Sequence, residues 1–311
     1  MLNVVFNENA VDGLKKMDAC SVNTCITSPP YYGLRDYGVY GQIGLEETPE
    51  DYIKKLVDVF REVRRVLRDD GTLWVNIGDS YTGSANAGGE NSRTCESKPN
   101  ARDKNLPTKK GVGLKTKDLI GIPWMLAFAL RADGWYLRQD IIWSKTNPMP
   151  ESVTDRCTKS HEYIFLLSKS AHYYYDAESI KEPANPEYEG RYKSEFNVGI
   201  KEIAGGGRPS GKNTAGIKIY TGKRNKRDVW TVSTKGFKGA HFAVYPEELI
   251  TPCVLAGCPA GGVVLDPFMG SGTTAVVAIE NNRNYVGCEI NPAYVKIIEK
   301  RVKKSGYQTR L

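Results

Sequence analysis

The stretch 263–274 constrains the fold of this chain more than any other part of the sequence. Residues 263–265 are Val-Val-Leu, which predicts a buried strand, and Asp266 stands at its carboxyl end. Gly270 and Gly272 follow, and glycines allow a tight turn and a close approach of a ligand to the backbone. A helix opening at Thr273 completes a strand, turn and helix. In open α/β sheets, ligands bind at such strand ends.

The turn and the helix start suit a nucleotide-like cofactor. Thr273 and Thr274 begin a helix whose unpaired N–H groups and dipole favour a carboxylate or phosphate. Glu289 ends the next predicted strand, where an acid can accept hydrogen bonds from both ribose hydroxyls. A P-loop does not fit, because no Gly-Lys-Ser/Thr sequence follows the turn. A dehydrogenase stays open, although Ala275 replaces the third glycine of its usual turn.

Strands and helices alternate along most of the chain, which predicts a parallel sheet with helices on both faces. The predicted strands are 22–27, 72–77, 137–143, 163–168, 263–266 and 285–289, and the predicted helices are 49–67, 122–132 and 274–281. With 311 residues, 40% of them hydrophobic, the chain can form one large α/β domain with an insertion or two small domains.

Composition excludes several protein classes. No run approaches about 20 apolar residues and the N-terminus does not resemble a signal peptide, so we expect no membrane span. The seven cysteines are scattered without a CxxC pair, which indicates free thiols in a reducing cytosol and no metal site. The net charge of +7 is modest, so its distribution must decide whether the partner is a nucleic acid.

A second motif, Ser28-Pro29-Pro30-Tyr31, follows the first strong strand. The Ser28 hydroxyl and the Pro29 carbonyl can accept the hydrogens of an exocyclic amine and so turn its nitrogen lone pair towards a methyl donor. The two prolines stiffen the segment, which preorganises these acceptors. Tyr31 offers a ring on which an extruded base can stack. Alone, the motif would indicate only a strand ending in a Pro-Pro turn; beside a cofactor turn it predicts a catalytic segment.

Two long inserts interrupt the alternation. Residues 84–117 contain eight basic and three acidic residues, and residues 183–230 contain ten basic and five acidic residues. The second insert holds the basic run Lys223, Arg224, Lys226 and Arg227. Either insert could be a solvated surface loop, but two basic inserts with interleaved tyrosines favour binding to a polyanion, and we expect them to be mobile in the free protein.

The segments 266–274 and 28–31 together resemble the two motifs of the amino-methylating DNA methyltransferases that use S-adenosylmethionine. Their order, catalytic motif first, is that of the circularly permuted beta group. The resemblance implies a Rossmann-like α/β methyltransferase sheet that binds duplex DNA and S-adenosylmethionine. It implies these cofactor-binding residues: Asn9, His241, Tyr245, Asp266, Phe268, Gly270, Gly272, Thr273, Thr274 and Glu289. The family usually has Asp where Asn9 stands.

Within that family an acid in place of Ser28 is typical of adenine-N6 enzymes, and Ser-Pro-Pro-Tyr is typical of cytosine-N4 enzymes. The resemblance therefore implies methylation of a flipped cytosine at N4, with adenine N6 as the alternative. Cytosine-C5 methylation needs a Pro-Cys nucleophile, and the only such pair here, Pro252-Cys253, lies in a predicted apolar helix. A DNA-binding protein with an inactive methyltransferase fold is the alternative outside the enzymes.

The resemblance also implies how the chain is divided. We predict a catalytic half over 1–182, a target-recognition insert over 183–235, and a cofactor-binding half over 236–311. Such enzymes belong to restriction-modification systems or phages, which implies a cytoplasmic protein associated with nucleoid DNA. A cognate restriction endonuclease is a possible partner, and a monomer or a homodimer is possible.

Overall fold

The computed structural model describes residues 2–34, 36–82, 113–185, 222–234 and 245–305. Within this part of the chain, eight strands form one sheet and two short strands form another. The strands are β1 Val4–Phe6, β2 Val22–Thr27, β3 Leu67–Ile77, β4 Tyr136–Ser144, β5 His161–Ser168, β6 Glu182–Pro183, β7 Lys223–Arg224, β8 Val229–Thr231, β9 Val263–Asp266 and β10 Asn284–Cys288. The helices are α1 Ala10–Lys15, α2 Pro49–Val66, α3 Ile122–Ala132, α4 Glu247–Gly257, α5 Thr273–Glu280 and α6 Pro292–Lys304.

The large sheet has the strand order β1-β10-β9-β2-β3-β5-β4-β8 and is mostly parallel. The prediction of a parallel sheet is wrong for β5, which runs antiparallel to β3 and to β4. The cause is local: residues 145–160 join β4 to β5 without forming a helix. A parallel pair needs a crossover connection, usually a helix, whereas neighbouring strands without one pair antiparallel.

Helix α2 shows how the sequence forms the core. The Thr48 side chain accepts a hydrogen bond from the Asp51 backbone N–H, and Pro49 occupies the first turn, where its missing N–H costs nothing. Tyr52, Leu56 and six further nonpolar side chains of the helix are buried, and they are Ile53, Val57, Val59, Phe60, Val63 and Val66. Their helical spacing places one apolar face against the sheet and α3, where it stabilises the core by removing apolar area from water.

The sheet topology also fixes where a ligand can bind. Strands β2 and β9 are parallel neighbours, with Thr24 opposite Val264 and Cys25 opposite Leu265. From this pair the chain continues to β3 on one side and to β10 on the other, so it is the point where the strand order reverses. Ligands of open α/β sheets bind at the carboxyl ends of the strands at such a point. The segments that follow β2 and β9 are the two motifs found in the sequence.

The chain divides into two compact units. Residues 1–176 and 228–311 form the unit with the large sheet, and residues 177–227 form the other. In the smaller unit, β6 and β7 pair antiparallel, with Glu182 opposite Arg224. In the described part of the chain, no helix combines the length and apolar character that crossing a membrane would require.

Candidate active site

A cavity of about 1300 Å³ lies at the carboxyl edge of β2 and β9 and is lined by both sequence motifs. From the first motif it receives all four predicted catalytic residues, which are Ser28, Pro29, Pro30 and Tyr31. From the second motif it receives Phe268, Gly270 and Thr273, and Glu289, the residue directly after β10, also lines it. The structure therefore brings a candidate acceptor site and a candidate cofactor site into one space.

The catalytic segment is attached to the fold at three points. Before it, the Thr27 hydroxyl donates to Asp266 Oδ1 at 2.6 Å. Within it, the carbonyl of Pro30 accepts a hydrogen bond of 2.7 Å from the hydroxyl of Tyr52, a side chain buried in α2. At its end, the Tyr31 hydroxyl donates to a carboxylate oxygen of Glu162 at 2.6 Å. These three hydrogen bonds hold the segment in place through groups of the protein itself.

Asp266 connects the catalytic segment to the cofactor turn. Its Oδ1 accepts hydrogen bonds from the Thr27 hydroxyl at 2.6 Å and from the Phe268 backbone N–H at 3.0 Å. Its Oδ2 accepts from the hydroxyls of Thr274 at 2.6 Å and Tyr245 at 3.0 Å. Burial raises the pKa of Asp266, and these hydrogen bonds act in the opposite direction. Only 1% of the residue is exposed and it does not line the cavity, so it organises the site from beneath.

The cofactor turn and Glu289 form another wall of the cavity. Gly270 and Gly272 adopt positive φ angles of 54° and 84°, a region that favours glycine. The Gly270 N–H donates to Glu289 Oε2 at 2.7 Å, and the Asn291 N–H donates to Oε1 at 2.8 Å. Burial raises the pKa of Glu289 to about 7, while these backbone hydrogen bonds oppose the shift. Each carboxylate oxygen of Glu289 has a second lone pair that can accept a hydrogen bond from a hydroxyl group.

These residues fit a cofactor that has a ribose and a flat ring. Glu289 and Phe268 both line the cavity, the first with paired carboxylate oxygens and the second with an apolar ring. Thr273 begins α5, whose first N–H groups can meet an anionic group. A Cβ built on Gly270 would find only the Phe268 carbonyl oxygen within 4 Å, at 3.8 Å, so the backbone there faces open space that a ligand can enter.

Other predicted cofactor residues occupy different positions. Asn9 lines the cavity, but its side chain caps α1 by accepting from the Asp12 N–H at 3.0 Å and donating to the Asp12 carboxylate at 2.6 Å. Tyr245 also lines the cavity, with its hydroxyl on Asp266. Gly272 and Thr274 do not line it and instead shape the turn. His241 lies outside the described residues.

The acceptor side of the cavity contains a cluster that sequence reasoning missed. Glu162, the second residue of β5, accepts hydrogen bonds from the Tyr31 hydroxyl and from Asn76 Nδ2, the latter at 3.2 Å. Lys145, which follows β4, forms an ion pair with the other carboxylate oxygen. Burial and the neighbouring Glu162 raise the pKa of Tyr31 well above its usual range. All four residues line the cavity.

The predicted DNA-binding residues belong to the smaller unit. Lys223 and Arg224 form β7, and Lys226 and Arg227 follow. Glu182 Oε1 accepts hydrogen bonds from the Nε atoms of Arg224 and Arg227, each at 2.9 Å. The arginines of the basic run thus share one carboxylate. Residues 84–112 and 186–221 of the two predicted inserts lie outside the described residues.

Comparisons with known proteins show which family the chain resembles. A family model described as DNA methylase, N6_N4_Mtase, matches residues 22–300. The Type II methyltransferase M.Cfr9I of Citrobacter freundii is 48% identical over 299 residues, covering 96% of this chain and 87% of that protein. The Type II methyltransferase M.SmaI of Serratia marcescens is 49% identical over 295 residues, covering 94% and 88%.

Solved structures share the fold. PvuII DNA methyltransferase (cytosine-N4-specific) superposes with a TM-score of 0.63 at 15% identity, covering all of this chain and 88% of that one. A putative DNA modification methylase from Thermus thermophilus, solved with S-adenosyl-L-methionine, gives a TM-score of 0.58 at 21% identity, covering 98% and 94%. With the family match over most of its length, the chain belongs to the N6_N4_Mtase family of DNA methylases, the S-adenosylmethionine-dependent DNA methyltransferases of the Type II kind.

Proposed function

We propose that this DNA methyltransferase transfers its methyl group to N4 of a cytosine turned out of duplex DNA. The observation that carries the proposal is the position of Ser28, which heads the catalytic segment in the same cavity as the cofactor turn. The residue is a neutral hydroxyl, whereas adenine-N6 enzymes of the resembling family have an acid there. The structurally similar PvuII DNA methyltransferase is named cytosine-N4-specific, which supports the same base and the same atom for this chain.

The chemistry needs acceptors rather than a strong base. The Ser28 hydroxyl and the Pro29 carbonyl would accept the two amine hydrogens and orient the nitrogen lone pair. Tyr31 would stack on the extruded ring. The amine becomes acidic once it carries the methyl group, so its proton can leave without a dedicated base. When bound, S-adenosylmethionine supplies an electrophilic methyl group, and alignment supplies much of the acceleration.

We assign the cofactor to the wall formed by Phe268, Gly270, Thr273 and Glu289. Glu289 would accept hydrogen bonds from the ribose hydroxyls, and the start of α5 would meet the carboxylate of the methionine part. Cytosine-C5 methylation is not part of the proposal. Cys253 of the Pro-Cys pair is buried in α4, with 1% of the residue exposed, and does not line the cavity.

We further propose that the basic inserts bind duplex DNA, with 183–235 acting in target recognition and the run ending at Arg227 contacting phosphates. The support is the excess of positive charge in these segments. The Type II names of the relatives suggest a cognate endonuclease that cuts the same site. Such a pair would meet DNA in the cytoplasm of a prokaryotic cell.

The base assignment can be tested by nucleoside analysis. Duplex DNA is incubated with the protein and isotopically labelled S-adenosylmethionine, digested to nucleosides, and separated by chromatography with mass detection. We expect labelled N4-methylcytosine, and we expect Tyr31→Ala to lose about 10–100-fold in rate, because base stacking is worth roughly 1–3 kcal/mol. N6-methyladenine alone would assign the alternative base. Absence of any methylated nucleoside would favour the inactive DNA-binding fold.

A further inference from the structure

Glu162 is the meeting point of three donors on the acceptor side of the cavity. One carboxylate oxygen, Oε2, accepts from the Tyr31 hydroxyl at 2.6 Å and from Asn76 Nδ2 at 3.2 Å. The other oxygen, Oε1, pairs with the Lys145 ammonium. The side chains of Glu162 and Lys145 are only 14% and 20% exposed, so water screens this pair less than a surface pair. The carboxylate is therefore held from both of its oxygens.

Tyr31 is confined from two directions. Its hydroxyl is fixed by Glu162, and its ring edge packs on the backbone of Gly78, the residue immediately after β3. A Cβ built on Gly78 would stand 2.8 Å from Tyr31 Cε2, a distance that real Cβ atoms essentially never show. A ring held at its hydroxyl and at one edge cannot rotate freely about its side-chain bonds, so the plane of this cavity-lining ring is fixed.

The residue proposed to accept the amine belongs to the same short segment as Tyr31. Burial and the neighbouring Glu162 raise the pKa of Tyr31, and the Ser28 side chain acts in the opposite direction. Ser28 stands three positions before Tyr31, and the Tyr31 hydroxyl connects the segment to Glu162 of β5. A displacement of Glu162 would therefore move the stacking ring at the end of this segment.

We propose that Glu162 is a positioning residue for methyl transfer: it fixes the plane of the Tyr31 ring against Gly78, and Lys145 keeps its carboxylate in place. The proposal rests on this site performing amino methylation but not on which base is methylated. Because a misplacement of about 1 Å can cost on the order of 100-fold in rate, the contact should act on the chemical step more than on binding.

The test uses single-turnover methyl transfer, with the full-length protein in excess over duplex DNA and with saturating S-adenosylmethionine. We expect Glu162→Ala to slow the transfer by about 10- to 100-fold and Tyr31→Phe, which keeps the ring, to slow it by about tenfold. The apparent KM for DNA and the affinity for S-adenosylmethionine should stay within about twofold, since neither ligand needs the Glu162 contact to bind. Glu162→Gln keeps an oxygen that can accept from Tyr31 and should restore part of the rate.

Two measurements separate positioning from general damage to the fold. Asp133→Ala is the matched control: it also breaks an ion pair of a mostly buried carboxylate, 16% exposed, with Arg61, and it does not line the cavity. Its rate should equal that of the wild type. In a double-mutant cycle, Tyr31→Phe combined with Glu162→Ala should be no slower than Glu162→Ala alone, because both remove one contact.

Three results would overturn the proposal: a wild-type rate in Glu162→Ala, multiplicative losses in the double variant, or an equal loss in Asp133→Ala. If Glu162→Ala does not fold, the cycle is run with Glu162→Leu, which fills more of the space but cannot accept a hydrogen bond from Tyr31, so multiplicative losses there have the same meaning. Gly78→Ala is an independent check. The added methyl group should slow methyl transfer when Tyr31 is present, but it should cause no further loss in a protein that also carries Tyr31→Ala. The base assignment is judged separately, from the wild-type product alone.

Discussion

Asp266 and Glu162 each gather several donors around one carboxylate beside the catalytic segment, but their surroundings differ. Asp266 is almost fully buried and takes three hydroxyls and one backbone N–H, and it forms no ion pair with a lysine or arginine of the described residues. Glu162 is partly exposed, lines the cavity and shares an ion pair with Lys145. One holds the beginning of the catalytic segment through Thr27, and the other holds its end through Tyr31.

This difference separates two tasks within one site. The donors around Asp266 come from four places: β2, α5, the turn between β9 and α5, and Tyr245 before α4. Loss of this carboxylate should therefore disrupt both the core and the cofactor turn. Donors around Glu162 come from the catalytic segment, from β3 and from the end of β4, beside the open cavity. The first residue should matter chiefly for stability and cofactor binding, and the second chiefly for rate.

The largest effect is expected from Asp266→Ala. It leaves the Thr27 hydroxyl and the Phe268 N–H without their acceptor. The hydroxyls of Thr274 and Tyr245 also contact each other, so one of these two can still donate and the other cannot. Each unsatisfied buried group costs about 1–3 kcal/mol. We expect the free energy of unfolding to fall by about 3–5 kcal/mol, measured by urea denaturation, with a loss of S-adenosylmethionine binding. Asp266→Asn keeps one acceptor oxygen and should recover part of the stability. Glu162→Ala is the comparison, and an equal loss of stability there would contradict the division of tasks.

The sequence predicts those parts of this arrangement that depend on local patterns. The bounds of β2, α3 and β9 agree with the predictions 22–27, 122–132 and 263–266, because prolines, glycines and apolar periodicity mark them. Residues 69–71 have the composition of a turn before the strand. They lie instead within β3, where the register to β2 shifts between the pairs Val22–Leu67 and Thr24–Thr72. Hydrogen bonding across an irregular strand is not visible in a local pattern.

The role of Glu162 cannot be predicted in this way. It meets Tyr31 across 131 residues, and its position depends on the antiparallel placement of β5, for which the sequence pattern predicts a parallel strand. The pattern also places the start of that strand at Tyr163, which leaves Glu162 outside it. The one available signal is a carboxylate directly before an apolar strand, near a lysine that ends another strand. Asp266 is predicted as a cofactor ligand from its motif, and the local pattern gives no sign of the four protein donors that converge on its carboxylate.

A smaller effect is expected at Glu289, the carboxylate of the cofactor wall. Burial raises its pKa to about 7, so the protein shifts from the neutral to the ionised acid between about pH 6 and 8. The ionised form accepts hydroxyl hydrogen bonds more strongly, so the affinity for S-adenosylmethionine should rise about three- to tenfold over this range. In the protein without cofactor, pH acts in the opposite direction, on the free energy of unfolding. The contribution of Glu289 to this free energy is greatest below the unfolded pKa of about 4.3, and it is lost as pH rises through the folded pKa of about 7.

Calorimetric titration at about pH 6 and about pH 8 checks the cofactor part, with Glu289→Gln as the control. The glutamine cannot ionise. At the higher pH, Glu289→Gln should therefore bind S-adenosylmethionine more weakly than the wild type does, and its affinity should depend less on pH. This control also removes the contribution of ionisable groups on the ligand, which both proteins experience equally. The same pH dependence in both proteins would show that Glu289 does not contact the ribose.

The smallest effect is expected at Glu182 in the other unit, where a carboxylate pairs with two cations at the surface. Arg224 and Arg227 are 35% and 67% exposed in their side chains, so each pair contributes little to stability. Glu182→Ala removes one negative charge beside both guanidinium groups.

If the basic run contacts phosphates, Glu182→Ala should bind duplex DNA about two- to fivefold more tightly at low salt, with a steeper salt dependence. Replacing Lys223, Arg224, Lys226 and Arg227 with alanine should have the opposite effect, and cofactor affinity should not change in either variant. Unchanged DNA binding across a salt series in both variants would mean that the basic run is a solvated surface. Glu182 would then only stabilise the pairing of β6 with β7.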